Sequence, residues 1–587
     1  MQVYGEEASE EAVMSTYAIV KFNLEDTTAI QKAAFTFTDN STFGGTAPFR
    51  AKKEAVPHGY MGRNQFVLDG SLQEIPDDQG EVGFWSLQKS GADRKFEHNP
   101  VMEIKFRENH TSSGLTFVFE GECPKKMKVT WYDLGGDKIA EVIHTPVSLW
   151  SFCKMQVKNY AKIRLEFMET HFAERCIRLQ YVIYGQYITW SDLEVKTAKV
   201  TEQIDESNQT QPVNTAQVDI VDENNDFDIA NPNGAWNSAE YYQKLTMQEY
   251  KDGALIDCGT FYLNGWSFKS NIASFKAVDA VGYLDTVTYR EGTVLDHARA
   301  KDVIDSVMAA AGWTDYVVDD AIADMELVGY LKKQTCRNAL KEICFALGAQ
   351  ATCSRSDVIT IRQPDRYIAT YVGPDRKFIG KTQVALGDYV AQVSVSLPNY
   401  TLSTEPKSVY KAAVDPGTYA VDFSSPIDPT SIQATGGEVS SIHEGYCTLT
   451  VKAAGECEIT AKTYTSQDFT LTQDVDSLDA GQTAVTKKYT AALYCPSQIY
   501  KVMKQLLSYY QLRKTLQMTY LLDKEIAGKW VGVTDTENQV SSALIKEQTI
   551  DLTGGFIAQA KCVGYDRVSV SSYFTGKELY AGGDIII

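Results

Sequence analysis

The sequence predicts a multidomain, mainly β protein with α+β parts: a β-sandwich, two similar antiparallel β-barrels, a small α/β module and an Ig-like sandwich. Three observations lead there. At 587 residues the chain is too long for one core, and at ~150 residues per domain it divides into about four. Aromatic residues are abundant, 33 Tyr and 24 Phe against 16 Pro, a balance that suits half-buried pleated surfaces. Short alternating runs fill most of the chain, and helical periodicity interrupts them in few places.

Residues 1–16 read as an acidic tail. Residues 17–185 read as a sandwich: "VMEIKF", "GLTFVF", "MKVTWYDL", "AKIRLEFM" and "RCIRLQYVIYG" are short strands separated by turn-rich stretches such as "RENHTSSG". In 186–290 the runs lengthen. "AQVDIVDENNDFDI", "YYQKLTMQEYK", "LIDCGTFYLNGWSF" and "IASFKAVDAVGYL" read as successive strands of a first barrel.

The module at 291–397 holds two helices. Val303, Ile304, Val307 and Met308 share one face and Gly312 ends that helix; Leu340, Ile343, Cys344 and Leu347 do the same before Gly348. "AQATCSRSDVITIRQ" follows as a hairpin. Residues 398–485, rich in Thr, Ser, Ala and Asp, carry the strands "TYAVDF", "CTLTVKA" and "CEITAKTY" of the Ig-like unit. Residues 486–587 open with a third helix, "PSQIYKVMKQLLSYYQLRK", its Pro496 just before the first turn. A second barrel follows, with a hairpin at Gly554-Gly555. Its strand "FIAQAKCVGYD" ends in Val563-Gly564-Tyr565, as "SFKAVDAVGYLD" ends in Val281-Gly282-Tyr283, which points to an internal duplication.

Charge and cysteine usage narrow the function. Lys and Arg total 56 against 76 Asp and Glu, a net charge of −20, which argues against an exposed basic face wrapping duplex DNA. The 11 cysteines form no CxxC pair and read as reduced, mostly buried thiols. The start "MQVYGEEASEEAVMSTYAIV" lacks the basic residues and apolar core of a secretory signal, and no run of about 18 apolar residues exists to span a membrane.

Motifs of chemistry are weak. "GPDRKFIGKT" (373–382) ends like a P-loop, but six residues separate Gly373 and Gly380, and no clear helix follows. "DENNDFD" begins like a calcium loop, but Phe227 stands where the turn needs glycine and Asn233 where it needs glutamate. His171 and Glu174 could form half of an acid–base pair, or belong to a surface loop. No catalytic residue, cofactor or metal ligand is therefore expected. Trp85, Trp131 and Trp150 are candidates for stacking against a sugar ring, with the core as the alternative for each.

From "ITWSDLEVKTAKVTEQID" through "FDIANPNG", "GTFYLNGW" and the two-helix module, and again from Pro496 to about Tyr573, the chain resembles the hub proteins of phage tail tips and baseplates. The resemblance covers roughly half the chain and rests on pattern and order. It implies two similar barrels per chain and a homotrimer, so that six barrels dock on a sixfold tail tube while the other face stays threefold. The implied partners are the tail tube and distal tail protein, the tape-measure protein, and receptor-binding or fibre proteins, with DNA passing through without specific binding. The implied location is the virion tail tip, after synthesis in the bacterial cytoplasm. The N-terminal sandwich looks like galactose-binding or discoidin-like jelly rolls, which leaves a carbohydrate-binding adhesin, taking a host surface glycan, as the alternative. A glycosidase with accessory sandwiches is a third reading. The sequence ends soon after the second barrel, so any lytic activity is expected on another polypeptide.

Overall fold

The computed structural model describes residues 16–567 except 27–28, 30–31, 42–43, 47–48, 50–82, 232–233, 240–241, 252, 379, 477–484 and 535–538. The expected acidic tail lies outside the described residues except for Thr16. The fold is mainly β and multidomain, as the alternating runs predict. Among the described residues, no helix is long and apolar enough to cross a membrane.

A thirteen-stranded sheet occupies the centre and contains two four-stranded units. The first consists of Thr215–Val221, Lys244–Lys251, Ala254–Lys269 and Ile272–Val278. The second consists of Lys514–Leu521, Trp530–Thr534, Val540–Asp551 and Ile557–Arg567. In each, the first strand pairs with the fourth, the fourth with the third and the third with the second.

Among the described residues neither unit closes, which corrects the expectation of two barrels. The strand Val195–Gln203 pairs on one edge with the first strand of the first unit and on the other with the third strand of the second. The edges that closure would join are occupied instead by flanking strands, Val195–Gln203 and Thr16–Glu25 in the first unit and Gln383–Leu386 and Ile368–Val372 in the second. One hydrophobic core runs through both, including Val218, Phe275, Met518, Ile545 and Ile550.

Thr16–Glu25 was expected to begin the sandwich. It belongs instead to the large sheet, pairing with Lys244–Lys251 and with Gly185–Ser191. Its alternate residues Ala18, Val20, Phe22 and Leu24 are buried in the shared core. Alternation identifies such a strand but not the sheet that will take it. The N-terminal sandwich is therefore an excursion between two adjacent strands of the central sheet.

The sandwich is built from one seven-stranded sheet. Its two long strands, Val101–Phe119 and Trp150–Thr170, lose register between Lys105 and Gly114. Residues from both halves of these strands, Ile104, Phe117, Val157 and Leu165 among them, share one core, so the sheet folds over on itself at those bulges.

The helices Ala300–Ala311 and Cys336–Leu347 end at Gly312 and Gly348, whose φ of +66° and +59° are left-handed values that glycine adopts without strain. All eight of their predicted face residues are buried in one cluster. The third helix, Ile499–Tyr510, packs on a small sheet formed by Val390–Leu397, Phe469–Asp474 and Val485–Thr490. Two three-stranded sheets between residues 407 and 461 enclose a separate core with Val421, Cys447, Leu449, Cys457 and Ile459. All 11 cysteines are free thiols.

Candidate functional site: the seam between the two units

The pairing registers show how closely the units match. Seven consecutive residue pairs join the first and fourth strands in each, from Thr215↔Val278 to Val221↔Ile272 and from Thr515↔Val563 to Leu521↔Ile557. Both third strands carry a one-residue bulge at the same place. Asn264 is the extra residue between Leu263↔Ala277 and Gly265↔Lys276; Lys546 is the extra residue between Ile545↔Cys562 and Glu547↔Lys561.

This register sets "IASFKAV" (272–278) against "IAQAKCV" (557–563), with Ile, Ala, Lys and Val in common. The two Val-Gly-Tyr tripeptides do not correspond, because Val563 matches Val278 and not Val281. Val281-Gly282-Tyr283 lies in the short helix Ala280–Tyr283, where the Gly282 N–H donates to Asp279 Oδ1 at 2.9 Å. The duplication is present in the pairing, and the marker that suggested it is displaced by three residues.

The linking strand joins the first unit to the second where residues 199–203 face residues 547–551, from Lys199↔Asp551 to Gln203↔Glu547. Val200 and Ile550 point inward and are buried. The hydroxyls of Thr201 and Thr549 lie 3.1 Å apart on the other face. Glu202 and Gln548, inward again, are also buried, and they begin a polar network.

Arg355 Nε donates to Glu202 Oε1 at 2.8 Å. Glu202 Oε2 accepts from Gln548 Nε2 at 2.6 Å and from the Ala527 N–H at 3.2 Å. Gln548 Nε2 also donates to the Glu525 carbonyl at 2.9 Å, and its Oε1 accepts from Tyr520 Oη at 2.8 Å. Glu525 is held by Arg376, with Nη2 at 2.7 Å from Oε1 and Nη1 at 3.3 Å from Oε2. Arg355 comes from the turn of the module's hairpin, with a φ of +57°, and its guanidinium also donates to the Glu525 carbonyl.

Each of these carboxylate oxygens accepts from an arginine, an amide or a backbone N–H. The network positions elements, since none of its acids is left exposed to move a proton. It ties the linking strand, the second unit and the helical module together. Breaking such a buried pair is costly, and its best-attested role is to fix register. Burial works against the Arg376 cation, but hydrogen bonding and attraction to Glu525 raise its pKa. Burial, reinforced by Glu525, pushes the Tyr520 phenol well above its ordinary value. Elsewhere, burial pushes the Glu249 carboxyl up to about 7, opposed by a hydrogen bond from Thr16.

The residues singled out in the sequence fall elsewhere. Trp131 is fully buried in the sandwich core, so it has no face to offer a sugar and is withdrawn as a stacking residue. Trp85 is partly buried beside the Arg178 guanidinium, 5.4 Å from its ring centre. Trp150 is 45% exposed and packs against Tyr187 and Tyr181, with ring centres 5.3 and 6.0 Å away. Asp222 of the acidic loop accepts the backbone N–H groups of Asp226 and Phe227, at 2.9 and 2.8 Å, which turns Phe227 into the core. The strand Gln383–Leu386, not a helix, follows the Gly-Lys-Thr at 380–382. His171 Nε2 lies 4.0 Å from Cys123 Sγ.

The network itself was not foreseen. A signal existed: Glu202 has the parity of Ala198 and Val200, and Gln548 that of Ile550, so both are polar residues on apolar faces.

No protein-family model matches the chain, and no curated protein matches it. Among solved structures, it is similar to a tail protein from Neisseria meningitidis, at 10% identity and a TM-score of 0.38, over 64% of this chain and 93% of that one. It is also similar to the prophage tail protein gp18 from Listeria monocytogenes, at 6% identity and 0.37, over 65% and 92%. A third is an Escherichia coli component of the type VI secretion system described as structurally similar to the T4 tail proteins gp27 and gp5, at 8% identity and 0.32, over 64% and 74%.

Proposed function

We propose that the chain is a structural protein of a phage-like tail: a homotrimeric hub that caps the tail tube and adapts its sixfold symmetry to a threefold tip. The observation that carries this reading is the duplicated four-stranded unit, two copies joined in one sheet through the linking strand Val195–Gln203. Three chains would present six such units to a hexameric ring, while the sandwiches and the helical module stay threefold. Its partners would be the tube and distal tail protein, the tape-measure protein, and fibre or receptor-binding proteins.

On host contact, packing between hub domains or partners would shift and open a path for the tape measure and DNA. The trigger must bind the open state more tightly than the closed one. The net charge of −20 suits a passage that DNA slides through without binding. The test is the mass of the purified chain by light scattering, with negative-stain images of the same sample. A threefold particle with an axial hole or plug is expected; a monomer at every concentration would overturn the hub.

A second reading rests on the half-exposed Trp150 and its aromatic neighbours: the sandwich as a receptor-binding module for a host glycan. Binding of wall polysaccharide by the full chain, lost in Trp150→Ala, would support it. Equal binding by both proteins would remove Trp150 from any such site.

A further inference from the structure

The seam inside the chain has an unmade counterpart. Val195–Gln203 reaches the seam by pairing with the first strand of the first unit, Lys199↔Gln217, Val200↔Ala216 and Thr201↔Thr215. In the second unit Gln383–Leu386 holds the same position, with Gln383↔Gln517, Val384↔Leu516 and Ala385↔Thr515. Gln217 and Gln517 match in the repeat, so Gln383 corresponds to Lys199, Val384 to Val200, Ala385 to Thr201 and Leu386 to Glu202. No described strand pairs with the outer edge of Gln383–Leu386. Val384 and Leu386 have the inward parity of the repeat, yet they are 52% and 67% exposed.

The other side of the seam is also repeated without a partner. The shared bulge places residues 265–269 in register with residues 547–551. Pairing with Lys244–Lys251 stops at Tyr262, and no described strand continues along that edge. Trp266 and Phe268 match the buried Gln548 and Ile550 but are only partly buried.

We propose that Gln383–Leu386 of one chain pairs, antiparallel, with residues 266–269 of a second copy. Val384 then lies opposite Phe268, Ala385 opposite Ser267, and Leu386 opposite Trp266. The contact repeats the internal seam between chains and gives each exposed apolar inward residue an apolar partner. The two edges are different surfaces, so the contact is head to tail, and repeating it generates a ring if the rotation closes. Closure at three copies rests on the hub reading; the choice of edges rests on the repeat alone.

The experiment uses the full chain carrying Ala385→Cys and Ser267→Cys. Facing residues of an antiparallel pair lie about 4.5–5.5 Å apart at Cα, within the range a disulfide spans. Both positions have the outward parity of Thr201 and Thr549, so the new thiols stay out of the core. After oxidation, denaturing gels are expected to show linked dimers and trimers and nothing larger. Each single variant is expected to remain unlinked, because residue 385 meets residue 267 and not itself. In a second variant, Val384→Lys with Leu386→Lys, the mass is expected to fall threefold while amide protection at residues 199–203 is unchanged.

A threefold particle that never cross-links would overturn the edge pairing and leave the hub standing. A monomer that never cross-links would overturn both. Cross-linked ladders beyond three would uphold the edge contact and overturn the closed trimer.

Discussion

Arg355→Met tests whether the buried network fixes the seam. The substitution removes the Nε–H that Glu202 Oε1 accepts at 2.8 Å, and with it the guanidinium contact to the Glu525 carbonyl. Methionine fills most of the aliphatic volume, so little cavity forms. Glu202 keeps the Gln548 amide and the Ala527 N–H on Oε2, but its charge stays buried without the arginine. Removing one partner of a buried ion pair costs about 3–5 kcal/mol. A single unfolding free energy is ill-defined for a chain with several cores, so the readout must be local. Hydrogen exchange of amides at residues 199–203 and 547–551 is suitable. At 1.4 kcal/mol per tenfold, the cost corresponds to exchange roughly 10²- to 4 × 10³-fold faster at the seam. Amides of the N-terminal sandwich core serve as the unchanged control. The double variant Glu202→Gln, Arg355→Met is expected to recover most of the protection, since the glutamine oxygen still accepts from Gln548 and the Ala527 N–H while no unpaired charge is left buried. Seam exchange unchanged by Arg355→Met alone would refute the reasoning.

Three further outcomes are expected. Glu249 is buried with Oε2 unpartnered, and its pKa is raised from 4.5 to about 7. The folded chain therefore binds this proton more tightly than the unfolded one, and stability falls as pH rises from 4.5 through 7. Relative to the parent chain at the same pH, Glu249→Gln should leave amide protection along the pairing of Thr16–Glu25 with Lys244–Lys251 unchanged at pH 4 and raise it at pH 8. Trp131→Ala should destabilise the sandwich by about 3–5 kcal/mol, whereas Trp150→Ala should stay within about 0.5, as read from hydrogen exchange of amides in the sandwich core. Gly185 has a φ of +151°, and an added Cβ would lie 1.8 Å from the Leu24 carbonyl oxygen. Gly185→Ala should cost about 3 kcal/mol and speed amide exchange across the pairing of Gly185–Ser191 with Thr16–Glu25.

Local structure was legible where one residue or one period decides it. The helix faces, their glycine stops at 312 and 348, the hairpin after the second helix and the Gly554-Gly555 turn depend on nearest neighbours, and the structure has them. Sheet membership was not legible. Thr16–Glu25 and Gly185–Ser191 pair across an intervening sandwich, and nothing in either strand names its partner. Phe469–Asp474, assigned to the Ig-like unit, pairs with Val390–Leu397 beneath the third helix for the same reason. The repeat lay between these cases. Its sequence trace, "IASFKAV" and "IAQAKCV", is visible, but the Val-Gly-Tyr match sets it three residues out of register, because register is a property of the ladder and is fixed by the pairing of the first and fourth strands.

The chemistry of the two edges differs in the direction the proposed contact requires. Inside the chain, the inward positions at the seam are Val200, Glu202, Gln548 and Ile550, with arginines completing the polar pair. A seam formed as the chain folds can bury charge, because covalent connection delivers the partners together in a fixed register. At the matching free edges the inward positions are Val384, Leu386, Trp266 and Phe268, all apolar. Two folded chains meeting in water must first strip the solvent from both edges. A lone carboxylate there would cost more to desolvate than its partner returns, while apolar side chains gain on burial. The same backbone geometry thus carries an ionic lock where the join is intramolecular and an apolar one where it would be made by assembly, the composition expected of permanent subunit contacts.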